Sequence, residues 1–241
     1  MEKIIYETFP LSAQVEALTT TTLLGNLAYQ VDDGNNVDAN RHALADSIGI
    51  PLRRFVFVHQ SHSDRVMKVT LNDLGRGKDS FEDGLDCDAL YTYEKQVPLC
   101  VFHADCVPIF FVNEKASLVG IIHAGFKGTM KHVTYKVMKE ICEKEKLNVA
   151  DFKFYIGPFR QPYSFKVDND SRLLILEAGF EKALNNDEFD NGLANKLDLF
   201  ELGVKESQIA SCDYDTVTNL RFFSAIRKIP VGRLVSLIYL K

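Results

Sequence analysis

The spacing of apolar residues changes several times along the chain, and each change marks an element. "PLCVFHA" from Pro98, "VPIFFV" from Val107 and "SLVGIIHAG" from Ser117 are short, nearly unbroken apolar runs rich in β-branched and aromatic residues. Such runs predict strands buried on both faces, with "NEKA" (113–116) as the turn between the last two. "RFVFVHQ" (54–60), "FKFYIGP" (152–158), "RFFSAIRK" (221–228) and "GRLVSLIYL" (232–240) read as further strands. The helical period governs "VDANRHALADSIGI" (37–50), where Asp38 or Asn40 supplies a cap and Leu44 and Ile48 belong to the apolar stripe. It returns after Gly128, where Met130, Val133, Val137 and Ile141 recur with charges on the other face. It appears twice more, in "SRLLILEAGFEKAL" (171–184) and in "ANKLDLFELGV" (194–204), where Gly203 is the stop. The N-terminal part, with "TTTT" and "DDGNN", reads as polar and turn-rich.

Strands and helices mix without strict βαβ alternation. The expected fold is therefore α+β with mixed β-sheets rather than a doubly wound sheet. No repeat, low-complexity tract or long Pro/Gly linker divides the chain, so a single domain over residues 1–241 is expected.

Composition narrows the function classes. Hydrophobic residues make up 46% and charged residues 25%, as in ordinary globular proteins. The net charge of -5 predicts no nucleic-acid partner. No apolar run approaches a membrane span, and "MEKIIYETFPLSAQ" lacks the apolar core of a signal peptide, so a cytoplasmic location is expected. Five widely spaced cysteines with no CxxC argue against a disulfide framework or a zinc knuckle.

The chemistry concentrates where strands end. His62 follows a strand in "QSHSDRV", Cys106 sits at the Ala104-Asp105-Cys106 corner, and His123 closes "VGIIHAG". Strand ends converge on one sheet edge, and two imidazoles with a thiolate form a three-ligand set suited to catalytic zinc. Other readings remain open here. Strand-end histidines are often structural, Cys106 is by default a small buried hydrophobe, and a metal-free Cys106 nucleophile activated by His62 or His123 uses the same residues. His59 and His103 read as core or edge residues, and His42 and His132 as solvent-facing helix residues. Asp105 either orients a ligand imidazole or, the better reading, caps a turn. "HAGFKGT" is a strand-to-helix junction whose backbone N–H groups suit an anion.

In combination these stretches resemble the laccase-domain, or YfiH-like, family. "GNLAYQVDDGNNVDANRHAL", "QSHSDRV", "DALYT", "HADCVPIFF", "GIIHAGFKGT", "IGPFRQPYSFKV" and "RFFSAIRKIPVGRLVSLIYL" match its elements in order, over nearly the whole chain. The resemblance implies a layered α/β/β/α sandwich with mixed β-sheets, related to the cytotoxic-necrotizing-factor arrangement. It implies zinc held by His62, Cys106 and His123 as both metal-binding and catalytic residues, and substrate or phosphate binding by Asn26 and Lys127. The implied activity is phosphorolysis of adenosine, inosine, guanosine or methylthioadenosine, with adenosine deamination, on small-molecule substrates.

Copper-dependent polyphenol oxidation is the older description of such proteins. It fits six histidines and no evident axial methionine poorly. A metal-free Cys–His hydrolase and a non-catalytic metal-binding protein with a cell-wall quality role are further alternatives. The chain departs from the family pattern at Phe126 (Trp), Lys127 (Arg), Phe159, Tyr163 and Ser164 (Cys), and Ala225 (Tyr).

Overall fold

Two β-sheets stack face to face and carry the largest apolar cluster between them. The computed structural model describes residues 5–31, 35–227 and 229–241. Its strands are β1 (Tyr6–Thr8), β2 (Val15–Thr20), β3 (Val56–Phe57), β4 (Val66–Lys68), β5 (Ala89–Thr92), β6 (Leu99–His103) and β7 (Val107–Asn113). They continue with β8 (Leu118–Ala124), β9 (Phe152–Ile156), β10 (Leu184–Asn185), β11 (Glu188–Phe189), β12 (Ile209–Ser211) and β13 (Leu234–Leu240). The α-helices are α1 (Asn35–Ile48), α2 (Phe126–Thr129), α3 (Val133–Glu145), α4 (Asn169–Glu177) and α5 (Asn191–Glu201).

The first sheet has the order β1-β2-β13-β6-β3 and the second β12-β9-β7-β8-β5-β4; β10 and β11 form a separate hairpin. Both large sheets are mixed, because β3–β6, β4–β5 and β9–β12 pair in parallel while the other neighbours are antiparallel. The unbroken apolar runs are explained by burial from both sides. In β7, Phe110 and Val112 join Leu18, Val101 and Leu237 of the first sheet, while Val107, Ile109 and Phe111 pack with Val137 and Ile141 of α3 and Leu199 of α5. On the other side Leu44 and Ala45 of α1 join the cluster between the sheets. The expected α+β layering with mixed sheets is therefore present.

Several local expectations are corrected. The threonine-rich N-terminal stretch contains β2, which lies inside the first sheet with Thr19 and Thr20 fully buried. Their hydroxyls are satisfied: Thr19 bonds Ser236 at 2.6 Å, and Thr20 accepts from the Val235 N–H at 2.9 Å. Asp38 and Asn40 do not cap α1, which begins at Asn35; Asn40 instead donates to the Asn26 carbonyl at 2.8 Å. The helix expected across 171–184 ends at Glu177, because Gly179 turns left-handed (φ 75°). Residues 221–227 of the expected strand "RFFSAIRK" form turns and loop instead, Lys228 lying outside the described residues, and Phe222 and Phe223 pack in a small cluster with Ala104 and Leu234. The helix after Gly128 is split at His132 (φ 58°) into α2 and α3. His132 does not simply face solvent: it bonds the buried Asp198 at 2.7 Å and packs on Phe180.

Candidate metal centre and its cavity

Cys106 and His123 are brought together by the β7–β8 ladder. Pro108 pairs with His123 and Val107 with Ala124, so the residue before β7 meets the end of β8 at one edge of the second sheet. The corner preceding Cys106 is tight because Asp105 has a left-handed φ of 87°. Its carboxylate accepts from Thr216 (2.7 Å), Ser224 (3.1 Å) and the Ile226 N–H (3.0 Å). Asp105 thus ties this corner to the loop before β13, as a turn-fixing residue rather than a partner of a ligand imidazole.

His62 arrives on the loop that follows β3. Gln60 extends the β3–β6 pairing with its side chain, donating to the Phe102 carbonyl at 2.8 Å and accepting its N–H at 2.6 Å. Ser63 is held through its N–H (2.5 Å) and hydroxyl (2.7 Å) on one oxygen of Asp88. The other Asp88 oxygen binds Nδ1 of His123 at 2.8 Å. One buried carboxylate therefore orients His123 directly and His62 through its neighbour, leaving Nε2 of His123 for the cluster.

One donor atom from each of His62, Cys106 and His123 lies within 4.8 Å of the others. His62 is exposed, Cys106 half-buried and His123 buried. Burial opposes ionisation of Cys106, but the charge of His123 and hydrogen bonds from both imidazoles outweigh it and bring the thiol well below its ordinary value. Burial likewise opposes the His123 imidazolium, but Cys106 and Asp88 hold its pKa up. Thiolate is the form that ligates metal. The donor set, the carboxylate behind a ligand imidazole and the close spacing fit a three-ligand cation site.

Gly125 completes the cradle. A Cβ there would lie 2.8 Å from His62 Cδ2 and 3.1 Å from Cys106 Sγ. Gly125→Ala is expected to push the His62 ring aside and weaken metal binding about tenfold, by analogy with other losses of ligand positioning. Competition with a chromophoric chelator measures this; unchanged affinity would show that the ring has room to move.

The three donors line a cavity of about 320 Å³ together with Gln30, Gln60, Phe81, Phe102, His103, Ala104, Ala225 and Arg233. His103 is buried and bonds Ser236 at 2.8 Å; burial presses its pKa down to about 3, so it is neutral. His59 stands at the edge against Phe81, and His42 is exposed on α1. Asn26 is buried with its side chain committed internally: it donates to Ala28 (2.9 Å) and accepts from the N–H groups of Ala28 (3.2 Å) and Arg233 (2.8 Å). Lys127 is exposed on α2 and lies outside this lining.

Two contributors escaped the sequence reading. Asp88 stands in "DCDALYT", where a carboxylate directly before the strand-forming run Ala89-Leu90-Tyr91 is the available signal. Arg41 is fully buried. It lies three residues before Leu44 and four after Val37, on the inner stripe of α1. Its guanidinium donates to the carbonyls of Leu27 (2.9 Å) and Gly77 (2.6 Å) and stacks on Phe57 at 4.1 Å and Phe102 at 5.3 Å. It braces the Phe102 wall of the cavity from behind.

The two mixed sheets with a His–Cys–His cluster at one sheet edge define a layered α+β protein with a candidate metal centre. The chain belongs to the family described as "Multi-copper polyphenol oxidoreductase laccase", which it matches over residues 20–241. It is 34% identical over 220 residues to the "Purine nucleoside phosphorylase YlmD" of Bacillus subtilis (strain 168), covering 87% of this chain and 79% of that protein. The crystal structure of the Bacillus licheniformis hypothetical protein YfiH superposes with a TM-score of 0.93 at 30% identity, covering 100% of this chain and 98% of that one. YlmD from Geobacillus stearothermophilus gives 0.89 at 29% identity, covering 99% and 100%. Among the described residues no helix is long and apolar enough to cross a membrane.

Proposed function

We propose that this protein is a zinc-dependent purine nucleoside phosphorylase whose site is built on His62, Cys106 and His123. The observation that carries the reading is the cluster itself, with its three donors opening onto one cavity. Its volume of about 320 Å³ lies at the small-molecule end of ligand sites. Phe81 and Phe102 offer aromatic walls for a flat base. The printed name of the Bacillus subtilis relative points to the same class.

In the reaction, a phosphate oxygen forms a bond to C1′ of the ribose. The bond from C1′ to N9 breaks, its electron pair passes to the purine, and the proton of the attacking hydrogen phosphate ends on the departing base, directly or through water. When bound, zinc supplies Lewis acidity at the reacting edge of the cavity. The protein's own residues hold the ligand imidazoles and thiolate in place, exclude bulk water with Phe102 and Phe81, and fix the orientation of the substrate. Zinc is favoured over a blue-copper arrangement because no methionine lines the cavity among the described residues. Zinc deaminases use a carboxylate as proton carrier. No carboxylate lines this cavity among the described residues, so deamination of adenosine is expected as the slower side reaction.

The test is a panel of purine nucleosides incubated with the purified, metal-analysed protein, with and without phosphate. Phosphate-dependent release of free base and ribose 1-phosphate is expected, lost on chelation and restored by zinc. Turnover of no nucleoside under these conditions would sink the assignment, and activity insensitive to chelation would favour the metal-free thiol chemistry.

A further inference from the structure

We propose that Arg233 is the anion-gripping residue of the cavity and holds the phosphate co-substrate beside the His–Cys–His cluster. This rests on the phosphorylase reading for the identity of the anion, but the site itself is argued from its own surroundings.

Arg233 lines the cavity with His62, Cys106 and His123 and is its one permanently charged side chain among the described residues. Among the described residues no carboxylate answers it. Among the described residues, its guanidinium makes a single hydrogen bond, from Nη1 to the carbonyl of the adjacent Gly232 at 2.9 Å. It forms no ion pair among those residues, although most other arginine-rich contacts here are satisfied by carbonyls, as for Arg41 and Arg227. A half-buried guanidinium next to a site for a divalent cation raises the local positive potential and favours an anion between them.

The backbone at Arg233 is fixed on both sides. Its N–H donates to Asn26 Oδ1 at 2.8 Å, and its carbonyl accepts from the Leu27 N–H at 3.4 Å. Asn26 is itself anchored to α1 by Asn40. The next residue, Leu234, pairs with His103 at the end of β6, so Arg233 sits just beyond the β6–β13 ladder, at the rim carrying Cys106. Asn26 thus acts on this site as a positioning residue, through the Arg233 backbone. A guanidinium presents a planar fork of donors that matches phosphate oxygens in pairs. Lys127 is a weaker claimant, since it is exposed and outside the lining. The four-residue α2 that carries it is also too short to supply an anion-binding dipole.

Arg233→Gln and Arg233→Lys, each checked for zinc content and for wild-type circular dichroism, test the proposal. In steady-state phosphorolysis, Arg233→Gln is expected to raise the KM for phosphate by about tenfold or more while leaving the KM for nucleoside nearly unchanged, with Arg233→Lys between. Calorimetric titration with inorganic phosphate, and separately with sulfate, is expected to show the same loss of affinity without any turnover. That arm separates two failures: oxyanion binding lost in Arg233→Gln upholds the anion site even if no nucleoside is cleaved. Unchanged phosphate KM and binding in Arg233→Gln would overturn the proposal, as would a rise in phosphate KM produced by Lys127→Gln instead.

Discussion

Cys106→Ala is expected to leave a folded protein that neither retains zinc nor cleaves nucleosides. Cys106 is half-buried and, among the described residues, its thiol bonds the two imidazoles of the cluster and no group outside it, so trimming it costs roughly 1 kcal/mol of stability. The metal consequence is larger. Two imidazoles without the thiolate leave an incomplete ligand set, one of them on an exposed loop. Losing a Lewis acid worth several kcal/mol in the transition state corresponds to a drop on the order of 10³-fold in kcat/KM. Metal analysis together with single-turnover assays reads both effects. Full zinc occupancy with lost activity would instead assign Cys106 a nucleophilic role, and wild-type activity would remove the cluster from the chemistry altogether.

Asp88→Asn is expected to weaken zinc binding by about 10- to 100-fold and to lower stability as well. The carboxylate accepts from the His123 ring on one oxygen and from the Ser63 N–H and hydroxyl on the other. An amide keeps one acceptor and turns its NH₂ toward a group that is already a donor. Either His123 loses the partner that fixes its tautomer, or the Ser63 N–H is left without an acceptor and the His62 loop drifts. Partners of this kind typically contribute 10- to 100-fold to metal affinity, and a buried unsatisfied donor costs about 1–3 kcal/mol. In the metal-free protein the carboxylate's negative charge also supports the raised pKa of His123, so there the variant's imidazole is expected to titrate lower. Zinc competition, thermal unfolding and NMR titration of the ring measure the three effects. Wild-type affinity in a folded Asp88→Asn protein would show that His123 holds its orientation by packing alone.

The continuous apolar runs of β6, β7 and β8 were readable because strands buried on both faces leave little room for polar residues. α3 and α5 were readable for the matching reason: each buries one stripe, and Gly203 stops α5, whose start at Asn191, capped by Asp190, lies three residues before the expected one. β2 was not, because its threonines are buried by pairing their hydroxyls with Ser236 and the β13 backbone, partners more than 200 residues away. "RFFSAIRK" misled for the opposite reason: its aromatic residues fill a satellite cluster under a loop. Apolar content measures burial, and burial does not require a ladder.

What the chain's residues determined alone is the chemistry on offer: two imidazoles and a thiol at strand ends, and the layered mixed-sheet fold that their motifs accompany. The tertiary structure decided which groups serve them. It set Asp88 behind His123, turned Asp105 and Asn26 to holding loops, left Lys127 on the surface and brought Arg233 to the cavity from the far end of the chain. Local spacing encodes which face of an element is buried, because that depends on neighbours three or four residues away. Which polar group meets which depends on register between distant strands, and a one-residue shift in register would exchange every partner.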